Sequence, residues 1–364
     1  MKLALVGDRA DSGGDEFERL ADALDRRGHD VRMFVARHIG VVDGAAGADE
    51  LMPLIGDIAQ QLIDAWDADR PDVVHCFGWA HGMAAQLAAK RRPVPTVQAY
   101  PSLDVTTRPG DSGADTPKKI RSLLVRNATA VTVACHDDMD EVLRLGCPRA
   151  RVAVLPPGVE VDDVTAEEIL SRGTESGPRI VAVARDFTPR QGLAQVLRTL
   201  PSLGPAELVL VATHDADPEQ SERHLELARR LRVDRRVRLV ARPAAGDLTA
   251  LFGSADVVVA PAQYESSCAT VLHAMGCGAP IIGVAAGGPQ DAVISDVTGL
   301  LVPPGNPEAL GRALRSVLGQ TVLRQGMGLA GRSRARSRYS WDRIATDAEG
   351  IYEAALSRET ATAR

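Results

Sequence analysis

Basic excess, aromatic side chains, paired cysteines and long apolar runs are all scarce in this chain, and each scarcity closes a class of function. Lysine and arginine number 42 against 48 aspartates and glutamates, and aromatic residues make up only 3 % of the chain. A nucleic-acid binder needs a basic footprint and often stacking platforms, so no nucleic-acid partner is expected. The five cysteines, Cys76, Cys135, Cys147, Cys268 and Cys277, are odd in number and scattered, with no Cys-x-x-Cys spacing. That argues against a disulfide framework or a structural zinc site and fits a reducing, cytoplasmic setting. Cys135-His136 has no partner cluster nearby, so no metal is expected there. No apolar run reaches the length of a bilayer span, which leaves only a peripheral membrane contact open. Met1–Gly7 is too short for a signal core and reads as a first strand. The fingerprint Gly-x-Gly-x-x-Gly is also missing. Ser12-Gly13-Gly14 follows the first strand instead, which disfavours a nicotinamide dehydrogenase.

What is present is a repeated alternation. With 364 residues and 45 % of them hydrophobic, the chain can build two domains. In the first half, Leu3–Val6, Val31–Val35, Val73–Cys76, Thr96–Ala99, Ala130–Val133 and Val152–Leu155 read as short buried strands. Amphipathic stretches separate them; Phe17, Leu20, Ala21 and Leu24 form one helical stripe, which Gly28 ends. Pro156–Pro178, rich in Pro, Gly and acid, reads as a linker. The alternation then resumes with strands at Ile180–Val183, Leu208–Ala212, Val237–Val240, Val257–Val259 and Ile281–Val284. Two runs of βαβα units predict two doubly wound, Rossmann-like parallel-sheet domains. The expected division is 1–172 and 173–339, with a last helix over 340–358, N-capped by Ser340. Ligands of such sheets bind beyond the carboxyl ends of the strands, which puts the expected site in an interdomain cleft.

The stretch Ala260–Pro280 is the most informative. It follows the strand Asp256–Val259 and carries Tyr264-Glu265-Ser266-Ser267-Cys268, then His273-Ala274-Met275-Gly276-Cys277-Gly278-Ala279-Pro280. Gly287-Gly288 and Thr298-Gly299 follow, and Ala184-Arg185 with Arg190-Gln191-Gly192 precedes it. This layout resembles the donor-sugar segment of retaining glycosyltransferases of the GT-B fold, in the broad family 4 group (glycosyl transferases group 1). The resemblance extends over nearly the whole chain, and at Tyr339-Ser340-Trp341 it implies that the last helix, 340–358, packs back on the first domain. The family there reads Tyr-Glu-Gly-Phe-Gly, then Glu-Ala-Met-Ala-Cys-Gly-x-Pro, and earlier Gly-Arg followed by Lys-Gly. Three positions that the family often fills with polar groups differ here: Pro101 for a histidine, Gln191 for the lysine, and His273 for the second glutamate.

The resemblance implies a nucleotide-diphosphate sugar as donor, by default a UDP-sugar, and a small-molecule or glycoconjugate acceptor bearing a hydroxyl or amine. It implies a front-face mechanism with no protein nucleophile, no metal and no cofactor. Glu265 is expected at the donor sugar and Arg185 on the diphosphate, with Arg190 and Gln191 beside it. The backbone and hydroxyls of Ser266, Ser267, Cys268, Ala269 and Thr270 are expected to meet the phosphates at a helix N-terminus. Cys268 reads either as a thiol with lowered pKa or as a small buried residue. His273 is either a ribose contact or a packed helix residue, and the base is expected near Arg242. Gly13, Gly14, His75, His81 and Tyr100 are the candidates for the acceptor and phosphate loops of the first domain. A second class stays open: a catalytically weakened GT-B protein that binds nucleotide or a partner transferase, motivated by the three substitutions.

Overall fold

In a computed structural model the structure describes residues 1–7, 16–35, 52–100, 118–161, 169 and 177–362. Gly13, Gly14 and Pro101 lie outside them. The chain divides into two compact units, Met1–Gly158 with Trp341–Arg364, and Val159–Ser340. The division falls N-terminal to the 172/173 boundary expected from composition. Val159 is already tied into the second unit, donating its N–H to the Tyr339 carbonyl at 2.8 Å and bridging to Ser340.

The first unit holds a parallel sheet with strands β1 (Lys2–Gly7), β2 (Asp30–Val35), β3 (Val73–Cys76), β4 (Thr96–Ala99), β5 (Ala130–Val133) and β6 (Val152–Val154), in the order β2-β1-β3-β4-β5-β6. β1, β3 and β5 are buried along almost their whole length because helices cover both faces, whereas the edge strand β2 exposes Arg32 and Met33. Helix α1 (Glu16–Arg26) packs Phe17, Leu20 and Leu24 on one face, together with Ile344, Ala348 and Tyr352 of the C-terminal helix. Helices α2 (Ile55–Ala68) and α3 (Trp79–Arg91) fill the other face with Ile58, Leu62, Trp66, Ala84 and Ala88. Helices α4 (Lys118–Asn127) and α5 (His136–Arg144) complete the layer beside β5.

The second unit repeats the plan with β7 (Arg179–Ala184), β8 (Glu207–Ala212), β9 (Val237–Ala241), β10 (Val257–Ala260), β11 (Ile281–Val284) and β12 (Gly299–Val302). Their order is β12-β11-β10-β7-β8-β9, and all neighbours are parallel. Alternate residues of β7 feed opposite cores: Ile180, Ala182 and Ala184 on one face, Val181 and Val183 on the other. Helices α6 (Leu193–Thr199), α7 (Pro218–Arg230) and α11 (Pro307–Gly319) close the first face. Helices α8 (Ala245–Gly253), α9 (Ala269–Gly276) and α12 (Thr321–Tyr339) close the second, and the short α10 (Gly287–Ala292) sits past β11. The last helix, α13 (Trp341–Thr362), belongs to the first unit. Among the described residues no helix is long and apolar enough to cross a membrane.

Candidate functional site

The second unit has a topological switch point between β7 and β10. The chain leaves β7 toward β8 and β9 on one side, then returns to lay β10 on the other, with Val259 opposite Ala182. Loops leaving such a pair of strands diverge and open a crevice beyond their carboxyl ends. Arg185 follows β7 there, and Glu265 lies in the loop after β10.

Glycines lock these loops together. Gly192 is buried with φ +75°, and a Cβ on it would stand far inside van der Waals contact of the Pro261 carbonyl. The Gln263 N–H meets the Arg190 carbonyl at 3.3 Å, which joins the β7 and β10 loops directly. Past β11, Gly287 has φ +61° and leaves no room for a Cβ against the Glu265 carbonyl. Gly288 donates its N–H to that same carbonyl at 2.8 Å. A Cβ on Gly288 would lie 2.6 Å from the Ser266 oxygen and 2.7 Å from the Cys268 nitrogen. The stretch carrying Glu265 is therefore held from both neighbouring loops.

Arg185 is exposed, and among the described residues no carboxylate stands within ion-pair distance of it. Glu265 is half-buried. Burial pushes its carboxyl up to about 7, against the opposing pull of the Arg185 charge, so the two groups sense each other. The α9 N-terminus follows. Ser266 and Cys268 are buried, and the Ser267 hydroxyl accepts the Ala269 N–H at 3.2 Å. Ala269 and Thr270 are half-buried in the first turn, where the Thr270 and Val271 amides have no intrahelical acceptor. The arrangement offers one guanidinium, one carboxylate with its pKa near neutrality, and a helix N-terminus.

Other expected donor-site residues have internal partners. The Gln191 Oε1 accepts the Arg185 backbone N–H at 3.4 Å, so this side chain shapes the loop that carries the arginine. Arg190 is half-buried beside it. The His273 Nε2 lies 2.8 Å from the Thr249 hydroxyl of α8, and its ring meets Phe252 edge-on at 5.2 Å. Arg242 has φ +46°, and its guanidinium reaches both Asp215 oxygens at 3.0 Å, both residues being exposed.

In the first unit, His75 needs a correction. It is a core residue, 1 % exposed, with Nδ1 at 2.8 Å from the Tyr352 hydroxyl and Nε2 at 3.4 Å from the Thr132 hydroxyl. Burial pushes its imidazole down to about 3, so it stays neutral and turns both nitrogens inward. His81 is buried in the first turn of α3. Tyr100 is buried just past β4, and burial raises its hydroxyl to about 12.

Two residues escaped the sequence reading. Gln98, at the end of β4, donates to the carbonyls of Cys76, Gly78 and Ala99 at 3.3, 3.2 and 2.9 Å and ties the ends of β3 and β4 together. Gly82 of α3 leaves the space its amide occupies. His214 stands past β8 beside Arg185. A polar Thr-His pair directly after the strand was its only signal.

Known proteins share this plan. The model of the family described as glycosyl transferases group 1 matches residues 165–334, and that of the glycosyl transferase 4-like domain matches residues 13–158. The D-inositol 3-phosphate glycosyltransferase of Streptomyces griseus is 28 % identical, over 91 % of this chain and 78 % of that protein. The sucrose-phosphate synthase structure from Thermosynechococcus elongatus superposes with a TM-score of 0.79 at 22 % identity, over 98 % of this chain and all of that one. HepE of Anabaena, solved with UDP-glucose, gives a TM-score of 0.74 at 16 % identity, over 97 % of this chain and all of that one.

Proposed function

The chain belongs to the group 1 glycosyl transferases of the GT-B fold, and from that premise we propose that it moves a sugar from a UDP-sugar to a hydroxyl or amine of an acceptor, with retention of configuration and without a metal ion. The observation that carries the reading is the juxtaposition of Arg185 and Glu265 on loops at the β7–β10 switch point, clamped by Gly192, Gly287 and Gly288. The match of the group 1 model to this same unit supports it. The UDP-glucose complex of HepE supports the choice of nucleotide.

The donor binds to the second unit, with its diphosphate at Arg185 and at the first-turn amides of α9. The acceptor, a small molecule or glycoconjugate, falls to the first unit. As the bond between the anomeric carbon and the diphosphate oxygen breaks, negative charge grows on that oxygen and the sugar becomes cation-like. Arg185 and the amides stabilise the first charge and the Glu265 carboxylate the second. The departing oxygen takes the acceptor's proton while the acceptor oxygen or nitrogen bonds to the same face of the sugar. No protein nucleophile is needed.

Calorimetric titration with UDP, GDP, ADP and TDP is the first test. Selective UDP binding, followed by turnover of a UDP-sugar that survives EDTA and gives a product of unchanged anomeric configuration, is the expected result. A folded protein that binds none of the four would overturn the reading. It would favour the nucleotide-free, partner-binding alternative, which the internal hydrogen bonds of Gln191 and His273 motivate.

A further inference from the structure

The ends of β7, β8 and β9 carry a row of polar side chains, of which His214 is the one that no motif announces. These strands are consecutive neighbours, and Arg185, His214 and Arg242 stand just past their ends. The ladder between β7 and β8 continues beyond the strands: Thr213 N–H to the Ala184 carbonyl, then His214 N–H to the Arg185 carbonyl, both 2.9 Å. That fixes His214 beside the Arg185 main chain, at the edge of the crevice proposed for the donor.

The ring is oriented but unspent. Nδ1 lies 3.0 Å from the Thr213 hydroxyl, and among the described residues Nε2 has no hydrogen-bond partner on an exposed side chain. A hydroxyl both donates and accepts, so the ring can gain or lose a proton and keep that bond. The charged groups around it are Arg185 and Asp186 past β7, Asp215 on its own loop and Arg242 past β9. Asp215 already faces Arg242, and Asp186 accepts the Thr188 N–H at 2.8 Å. Arg185 is the uncompensated charge. Desolvation first, then Arg185, hold the imidazole below its usual range, so the ring is neutral at neutral pH. A diphosphate beside Arg185 reverses the local sign and favours the charged ring.

We propose that His214 is, with Arg185, a second cationic contact for the donor's diphosphate, one that takes up its proton as the diphosphate arrives. The inference rests on the donor-site reading above. It gives the site a pH-dependent affinity that Arg185 alone cannot supply, because an arginine never releases its proton.

The test is UDP titration of wild type, His214→Ala and His214→Gln in buffers of different ionisation enthalpy, at about pH 6 and about pH 8. Wild type is expected to take up more protons on binding than His214→Ala; the nucleotide's own phosphate ionisation is common to both and cancels. At about pH 6, His214→Ala should bind roughly 3- to 10-fold more weakly than wild type, with the gap closing at about pH 8. His214→Gln, which keeps an N–H donor but cannot take a proton, should match wild type only at the higher pH. Equal proton uptake and equal pH dependence in His214→Ala would overturn the inference and move the proton to Glu265, leaving the donor site intact. Failure of wild type to bind any nucleoside diphosphate would overturn the donor reading and this inference with it.

Discussion

Gly288→Ala tests whether the glycine clamp positions the chemistry. The added methyl carbon would sit 2.6 Å from the Ser266 oxygen, 2.7 Å from the Cys268 nitrogen and 2.8 Å from the Ser267 carbonyl carbon. Ordinary contacts of these kinds are more than half an ångström longer, and all three atoms are backbone, so no rotamer change relieves the overlap. Either the Glu265–Cys268 strip or the start of α10 must move, which strains the Gly288 N–H bond to the Glu265 carbonyl. Overpacking costs about 1–3 kcal/mol and a weakened buried hydrogen bond about 1 kcal/mol more. In a unit of this size the sum lowers the melting temperature by roughly 5–12 °C. The same shift moves the Glu265 carboxyl by a fraction of an ångström to an ångström, enough to cut turnover by about 10²-fold. Gly305→Ala is the control. Its φ is +67° but nothing lies within 4 Å of a Cβ there, so it should cost about 1 kcal/mol and leave activity unchanged. Differential scanning calorimetry and UDP-sugar turnover read both variants. If Gly288→Ala melts and turns over like Gly305→Ala, the clamp has no positioning role.

Arg185→Ala should weaken UDP binding by about 10- to 100-fold, with Arg185→Lys between it and wild type, because a guanidinium on a diphosphate contributes about 1.5–3 kcal/mol; an unchanged calorimetric Kd would place the diphosphate elsewhere. Glu265→Gln should cut turnover by at least about 10²-fold while changing the UDP Kd less than about threefold. The Glu265 carboxyl is raised to about 7 in the folded state. Its ionisation therefore opposes folding increasingly as pH rises from about 4.5 to about 7. So Glu265→Gln should melt higher than wild type at about pH 8 but not at about pH 4, and the reverse order would contradict the assigned burial. Glu349 gives the opposite sign. Hydrogen bonds from Arg27 at 2.7 Å and from His29 at 2.7 Å hold its carboxyl down to about 2. It stabilises the first unit above about pH 4.5 and loses that effect as pH falls toward 2. Glu349→Gln should cost about 1–2 kcal/mol near neutral pH once solvent screening is allowed for. A urea melt that shows the same deficit at about pH 3 would contradict this.

Much of the fold was legible because parallel strands buried on both faces leave short Val-rich runs that nothing else in the chain imitates. Val73–Cys76, Thr96–Ala99 and Ala130–Val133 were bounded in the sequence as they are in the structure. Glu265 and Arg185 stood out because each follows such a run within the pattern of the resembling family, Arg185 directly after β7 and Glu265 in the loop after β10. His75 misled for the same reason: a histidine at a strand end looks poised for chemistry. Its neutrality comes from burial, and Tyr352, contributed by a helix at the far end of the chain, holds its Nδ1. The domain boundary misled too. Proline and glycine marked the linker, but the Val159 hydrogen bond to Tyr339 pairs two segments far apart in sequence, and composition does not register it.

The sequence alone determined eleven of the twelve strands, β12 (Gly299–Val302) excepted, because each is a local apolar run, and it singled out Arg185 and Glu265 as candidates through their places in the pattern of the resembling family. Tertiary structure decided which of these residues meet. Only the placement of β10 beside β7 brings Glu265 within the field of Arg185. Only the β7–β8 pairing sets His214 next to that arginine, and only the packing of α8 on α9 gives His273 the Thr249 hydroxyl. Strand order and helix docking are fixed by contacts between segments distant along the chain. Burial and charge, which set what each side chain can do, follow from those contacts and not from the neighbours it has in sequence.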